Sequence, residues 1–429
     1  MDTQTDTKIY GVYAREIINS CATPTIETTV VLNSGYRGTA SVSTGLAPGK
    51  YDALELRDHD EKRFNGMGVI QAVGISNTTI SSALKGKQAD DQSLIDKTLI
   101  ELDGNAATKA TLGANTMLAV SQAVSVAAAN ARRTPLYEYI NAIFSQYIPT
   151  PISRIPTPIF NLINGGKHGA GNLNFQEFQI IPASNKSFAD GYQMGVELYR
   201  AVQKILAFRN AGHSVGDEGG FTPNLFTNTD AIEIILEAIR SSPYQFGVDV
   251  FLGLDLAASL FKTDQGYLIK DRALAYSTKE FIQYLKDIHA KYHILYLEDP
   301  LEQDDWNGWA TITKEMDKDT LIAADDLLAT NKSRVERAIA EKACSAMLVK
   351  PNRVGTLTEV FATIALAKKS GMKCIISHRS GETNDTFLAD LAVGVQSDSV
   401  KFGAPARGER VAKYNRLLEI MIQKFPKNI

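Results

Sequence analysis

VFLGLD (250–255), ILYLED (294–299), LIAADD (321–326), AMLVK (346–350), CIISH (374–378) and VKFG (400–403) recur through the second half of the chain. Each is a short, continuous apolar run, the composition of a strand buried on both faces of a parallel sheet. Most are followed by an amphipathic helix pattern. TLTEVFATIALAKKSG carries a capping box at Thr356 and Glu359, a lysine-rich last turn and a stop at Gly371. KEFIQYLKDIHAKY places Phe281, Leu285, Ile288 and Tyr292 on one helical face. Asp255, Glu298, Asp325, Lys350, His378 and Lys401 fall at or beside the carboxyl ends of the six runs, 23 to 43 residues apart. In a (β/α)₈-type barrel those ends ring one mouth, so residues remote in sequence point into one pocket.

Upstream, the rhythm differs. KIYGVYA and TIETTVVL have strand chemistry, and the Ala-rich NTMLAVSQAVSVAAANARR (115–133) is helical, which together read as a small α+β unit. Pro149, Pro151, Pro156 and Pro158 crowd the junction. A boundary near residue 142, within ten on either side, divides the chain into 1–141 and 142–429.

The 429 residues suit two or three domains with ample core. With 45 Lys+Arg against 48 Asp+Glu and no basic block, no nucleic-acid partner is expected. Cys21, Cys344 and Cys374 are odd in number and scattered, which fits neither a disulfide framework nor a thiolate zinc site. MDTQTDTKIY lacks the features of a signal peptide, and no run of 18 apolar residues occurs, so a cytoplasmic chain without membrane insertion is expected.

Three carboxylates on successive strand ends form an oxygen-rich cradle for Mg²⁺, whereas zinc would recruit His or Cys. Lys350, His378 with Arg379, and Lys401 bring anion-binding and proton-accepting groups to the next ends. Such a set suits abstraction of a proton α to a carboxylate. His289 and His293, four apart, read as mid-helix residues away from that ring. GLAPGK (45–50) lacks the spacing and the Ser or Thr of a phosphate-binding P-loop.

VGDEGGF (215–221), YLEDP (296–300), ADD (324–326), SHRSGET (377–383) and KFGAPARGER (401–410) strongly resemble the enolase family, as do ALELRD (53–58) and NGGKHGAGNLNFQEF (164–178). The resemblance implies an α/β chain: a small N-terminal α+β domain, then an eight-fold TIM-like barrel whose first units are irregular. It implies a homodimeric or larger cytoplasmic lyase that interconverts 2-phospho-D-glycerate and phosphoenolpyruvate with two Mg²⁺. By motif match, Asp255, Glu298 and Asp325 are ligands of the first metal, with Glu298 and Asp325 also near substrate. Lys350 is the base at C2; Glu218 is the acid at the C3 hydroxyl, with Glu177 beside it. Lys401 contacts the substrate carboxylate, Arg379 and Ser380 hold the phosphate, and His168 and His378 are further substrate contacts.

Two stretches depart from the family pattern. Family members usually carry SGAST before ALELRD, and one of its serines binds the second metal; here T-G-L-A-P puts Ala47 there, which offers only a backbone carbonyl unless a shift of loop register brings Thr44 or Ser43 into its place. NSCATPT (19–25) replaces the usual DSRGNPT, a change expected to bear on the subunit contact rather than on the barrel chemistry. Two alternatives follow: a related acid dehydratase, which the retained Arg379 and Ser380 argue against, or a catalytically weakened paralogue with a binding or structural role.

Overall fold

The computed structural model describes residues 5–45, 49–169, 173–270 and 272–426. Three strands, β1 (Ile9–Ile18), β2 (Pro24–Leu32) and β3 (Arg37–Ser41), form an antiparallel meander. Ile26, Thr28, Val30 and Leu32 alternate inward along β2. They face the helix Ala114–Ala131, which buries 16 of its 18 residues. Its small side chains allow a close approach: a Cβ at Gly38 would stand 2.1 Å from Ala127 N.

Eight further strands close into a barrel: β4 (Thr157–Asn164), β5 (Glu177–Pro182), β6 (Val250–Asp255), β7 (Ile294–Glu298), β8 (Leu321–Ala324), β9 (Ala346–Val349), β10 (Lys373–Ser377) and β11 (Ser399–Lys401). Around the ring the order is β8-β9-β10-β11-β4-β5-β6-β7. The last six of these strands in chain order, β6 to β11, are the six apolar runs. β4 and β5 were not among them, because Pro158, Asn161 and Gln179 interrupt their apolar character. β5 runs antiparallel to both neighbours, whereas the remaining ring contacts are parallel. The parallel reading of VFLGLD therefore holds on its β7 side only. Ile159, Ile181, Tyr296, Ala323, Ala346, Leu348 and Ile375 fill the barrel interior.

Two helices, Phe188–Phe208 and Asn228–Arg240, lie between β5 and β6, and single helices follow from β6 onward. Thr356 caps Leu357–Lys369 as expected, but the box is half-formed: Glu359 turns its carboxylate to the Thr356 hydroxyl (2.6 Å) and to Lys109 Nζ (2.8 Å). Residue 142 falls inside the helix Leu136–Phe144.

The N-terminal unit is fastened to the barrel by buried polar bonds. Asp96 Oδ2 accepts from Thr358 N (2.8 Å) and Thr358 Oγ1 (2.6 Å), and its Oδ1 accepts from Ser121 Oγ (2.7 Å). Leu357 N in turn donates to Ser121 Oγ. Thr44 and Gly381 exchange two backbone bonds of 2.9 Å. No helix among the described residues is long and apolar enough to cross a membrane.

Candidate active site at the barrel mouth

Every strand from β6 to β11 delivers its chemistry at the same rim. Asp255, Glu298 and Lys401 are the last residues of β6, β7 and β11; Asp325, Lys350 and His378 immediately follow β8, β9 and β10. Glu177 reaches the rim differently, as the first residue of the reversed strand β5, in register with Asp255. His168 follows β4, and Glu218 comes from the glycine-rich loop before the helix Asn228–Arg240. A Cβ at Gly216 would lie 2.4 Å from His168 O, so only glycine lets these two loops touch.

A cavity of about 130 Å³ is lined by His168, Glu177, Glu218, Asp255, Asp325, Lys350, His378, Arg379, Ser380 and Lys401. Glu298 is not among its lining residues; it lies buried among Tyr296 and Lys401, accepting from Tyr296 OH at 2.5 Å. Ala47 lies outside the described residues.

Ring order explains the contacts. β6, β7 and β8 are consecutive, so Asp255, Glu298 and Asp325 occupy one arc, and β11 lies directly across from β7. Lys401 crosses the mouth to reach Glu298 Oε2 (2.7 Å), Asp255 Oδ2 (2.8 Å) and Glu177 Oε1 (3.0 Å). Burial lifts the Glu298 carboxyl to about 8 and Asp255 to about 6, although Lys401 opposes both. Lys401 itself stands well above the ordinary lysine range: burial pulls it down, and the three carboxylates outweigh that. Asp325 turns the other way. Lys350 Nζ donates to its Oδ2, Arg353 Nη2 lies 3.4 Å away, and these cations hold its carboxyl below the usual range against burial. Asp299 accepts the backbone N–H groups of Asp325 and Asp326, each at 2.9 Å, and so fixes that turn.

Among the described residues, two sets of candidate ligands converge within 4.8 Å: Glu177, Glu218 and His378, and Asp299, Asp325 and Asp326. The expected trio is arranged otherwise, with Asp255 and Glu298 meeting at Lys401 while Asp325 pairs with Lys350. Its donor set still fits magnesium, because all three are carboxylates on one arc and two are held up by burial that a divalent cation would relieve.

On the β5 side of the same rim, the Glu177 carboxyl is raised by burial, opposed by Lys401 and reinforced by Glu218. His168 Nε2 lies 3.6 Å from Glu218 Oε1, and His378 Nε2 lies 3.6 Å from Glu218 Oε2. Burial pulls His168 down to about 4 and His378 well below its ordinary value, where Arg410 and Lys401 assist. Two neutral imidazoles therefore flank one carboxyl at neutral pH.

The anion-binding side holds residues that sequence reading missed. Arg379 is backed by Asp52 Oδ2 at 3.4 Å, and Asp52 Oδ1 lies 3.3 Å from Arg353 Nε. Asp52 stands one residue before ALELRD, and nothing in its spacing pointed across the mouth. Tyr51 OH donates to Asp304 (2.6 Å), and Arg334 stacks 3.6 Å over the Tyr51 ring. The 19–25 segment touches the barrel loop after β10: Ser20 N donates to Glu382 O (2.8 Å), and Ser20 Oγ to Ser380 O (3.2 Å). Ser20 is unchanged from the family pattern; of the altered residues, Cys21 reaches the same segment, its Sγ lying 3.4 Å from Ser380 O. His293 closes its helix in a left-handed conformation, and His289 Nδ1 lies 3.1 Å from Ile294 O. Neither belongs to the mouth.

Residues 9–140 match the family model described as "Enolase, N-terminal domain", and residues 152–424 match "Enolase, C-terminal TIM barrel domain". The chain is similar to a curated protein named "Enolase" from Ehrlichia canis (strain Jake), at 44% identity over 412 residues, covering 96% of each chain.

Proposed function

The chain belongs to the enolase family, and we infer from that premise how its barrel mouth dehydrates 2-phospho-D-glycerate reversibly to phosphoenolpyruvate, the hydro-lyase step of glycolysis. One observation carries the division of labour. β9 and β5 stand four strands apart in a ring of eight, so Lys350 and the Glu177–Glu218 pair face each other across one cavity. Lys350 takes the proton from C2, and Glu218, with Glu177 beside it, gives a proton to the departing C3 hydroxyl. The raised carboxyl of Glu177 supports a proton held at that pair. Acid and base on opposite faces suit a stepwise anti elimination. Lys350 takes that proton as the neutral amine, on its lone pair, and becomes the ammonium while an N–H still points at Asp325 Oδ2.

Arg379 and Ser380 hold the phosphate, Lys401 meets the substrate carboxylate, and the buried His168 and His378 add contacts from neutral rings. Asp255, Glu298 and Asp325 would hold the first Mg²⁺, and the Ala47 carbonyl would contribute to a second. Bound magnesium supplies the positive charge that stabilises extra negative charge on the substrate carboxylate. A cytoplasmic homodimer or larger homo-oligomer completes the reading. It is supported by the free cysteines and by Tyr13 and Ile18, exposed on the edge strand β1. We place the division between the two domains in residues 145–156, between the helix ending at Phe144 and β4.

Purified protein with 2-phosphoglycerate should form phosphoenolpyruvate in the presence of Mg²⁺; absence of product across a wide Mg²⁺ range would end this reading. The related-dehydratase alternative predicts turnover of non-phosphorylated hydroxy acids instead. The Ala47→Ser variant should bind Mg²⁺ more tightly, by roughly threefold to tenfold if a side-chain oxygen replaces a water. Equal Mg²⁺ titrations for the two proteins would show that another group already fills the place.

A further inference from the structure

We propose that Arg410 is a positioning residue that fixes His378 as the Nε2–H tautomer, making it a hydrogen-bond donor facing Glu218 and barring it from binding a metal. The Arg410 side chain is wholly buried, and its Nη1 lies 2.7 Å from His378 Nδ1. A guanidinium carries only N–H donors, so Nδ1 must accept, and the one proton of a neutral imidazole then sits on Nε2. That nitrogen is the one 3.6 Å from Glu218 Oε2. Burial of the ring beside Arg410 and Lys401 keeps it neutral.

The same guanidinium holds the acid loop. Arg410 Nη2 donates to Asp217 O (3.0 Å), one residue before Glu218, and also to Ser380 O; Nη1 donates to Arg379 O (2.6 Å). Two segments that meet only at the barrel mouth, 217–218 and 378–380, are thereby set in register by one side chain. Glu177, Glu218 and His378 offer ligand atoms within 4.8 Å of one another. A ring protonated at Nε2 has no lone pair there, so this convergence is an acid-side network rather than a cation site. The inference rests on the acid role given to Glu218.

Nitrogen-15 NMR of histidine-labelled, full-length protein tests it directly. Only six histidines are present, and a His378→Gln variant assigns the signal. We expect a protonated Nε2 and a bare, hydrogen-bonded Nδ1, unchanged by excess Mg²⁺. A proton on Nδ1, an imidazolium, or a Mg²⁺-induced shift of Nε2 would overturn the assignment. In Arg410→Met the ring should become a tautomer mixture and kcat should fall about 10–100-fold with a much smaller change in KM. Arg410→Lys, which keeps a donor, should recover part of both. Full kcat with an unchanged tautomer in Arg410→Met refutes the positioning role. Should that variant fail to fold, the wild-type spectrum and Arg410→Lys still decide the matter. Absence of dehydratase activity in the wild type would instead sink the reading of Glu218 as the acid, while the tautomer stands or falls on its own spectrum.

Discussion

Replacing Lys350 with alanine lowers kcat by about 10²–10⁴-fold, the range expected when a positioned general base is removed. The loss belongs to the chemical step. Lys350 lines the cavity, whereas Arg379 and Ser380, the proposed phosphate contacts, lie after the next strand and keep their own partners. KM should therefore change little. Stability should also hold, because Asp325 retains Arg353 as a counter-ion once the lysine is gone. The sharper measurement is exchange of the C2 hydrogen of 2-phosphoglycerate with deuterated solvent, which should vanish with turnover. Persisting exchange with lost dehydration would move the base elsewhere and leave Lys350 a role in the second half of the reaction.

A Lys401→Met variant should lose activity and much of its stability in the absence of metal. Lys401 is the shared cation of Glu177, Asp255 and Glu298, all buried. Removing one member of a buried ionic set costs about 3–5 kcal/mol, because the remaining charges stay desolvated. The pH dependence follows from the raised carboxyls. Glu298 already stands near 8 and Asp255 near 6, above their ordinary unfolded values of about 4. The folded state therefore binds protons more tightly, and stability declines as pH rises from the unfolded value through the folded one. Without the ammonium that opposes the lift, this decline should steepen between about pH 4 and pH 8. Added Mg²⁺ should raise the melting temperature of the variant more than that of the wild type, since the ion then meets the carboxylates without competition. Equal shifts would show that Lys401 does not share their charge.

The barrel was legible because its strands from β6 onward are uninterrupted apolar runs that end in ionisable residues, a pattern produced by burial on both faces and exposure at one rim. The same rule was blind to β4 and β5. Pro158 and two internal amides, Asn161 and Gln179, break their apolar character, and Glu177 reaches the mouth from the start of a strand rather than from its end. Motif resemblance, not strand logic, found Glu177, His168 and Glu218. Asp52, Asp299, Arg353 and Arg410 escaped both approaches. Each acts through a partner 26 or more positions away, and a charged residue carries no local sign of which distant partner it will meet. The contacts of the 19–25 segment with Ser380 and Glu382 had no sign in the sequence for the same reason.

Chains built from two folded units often melt in separate steps. Here the carboxylate of Asp96 and the hydroxyl of Ser121 sit under the first turn of a barrel helix, and Lys109 grips the same turn from the side. Pulling the smaller unit away would strand a buried acid and take the partners from the first two N–H groups of that helix at once. Heat therefore finds no looser half to take first, and a calorimeter should record one endotherm where the domain count suggests two.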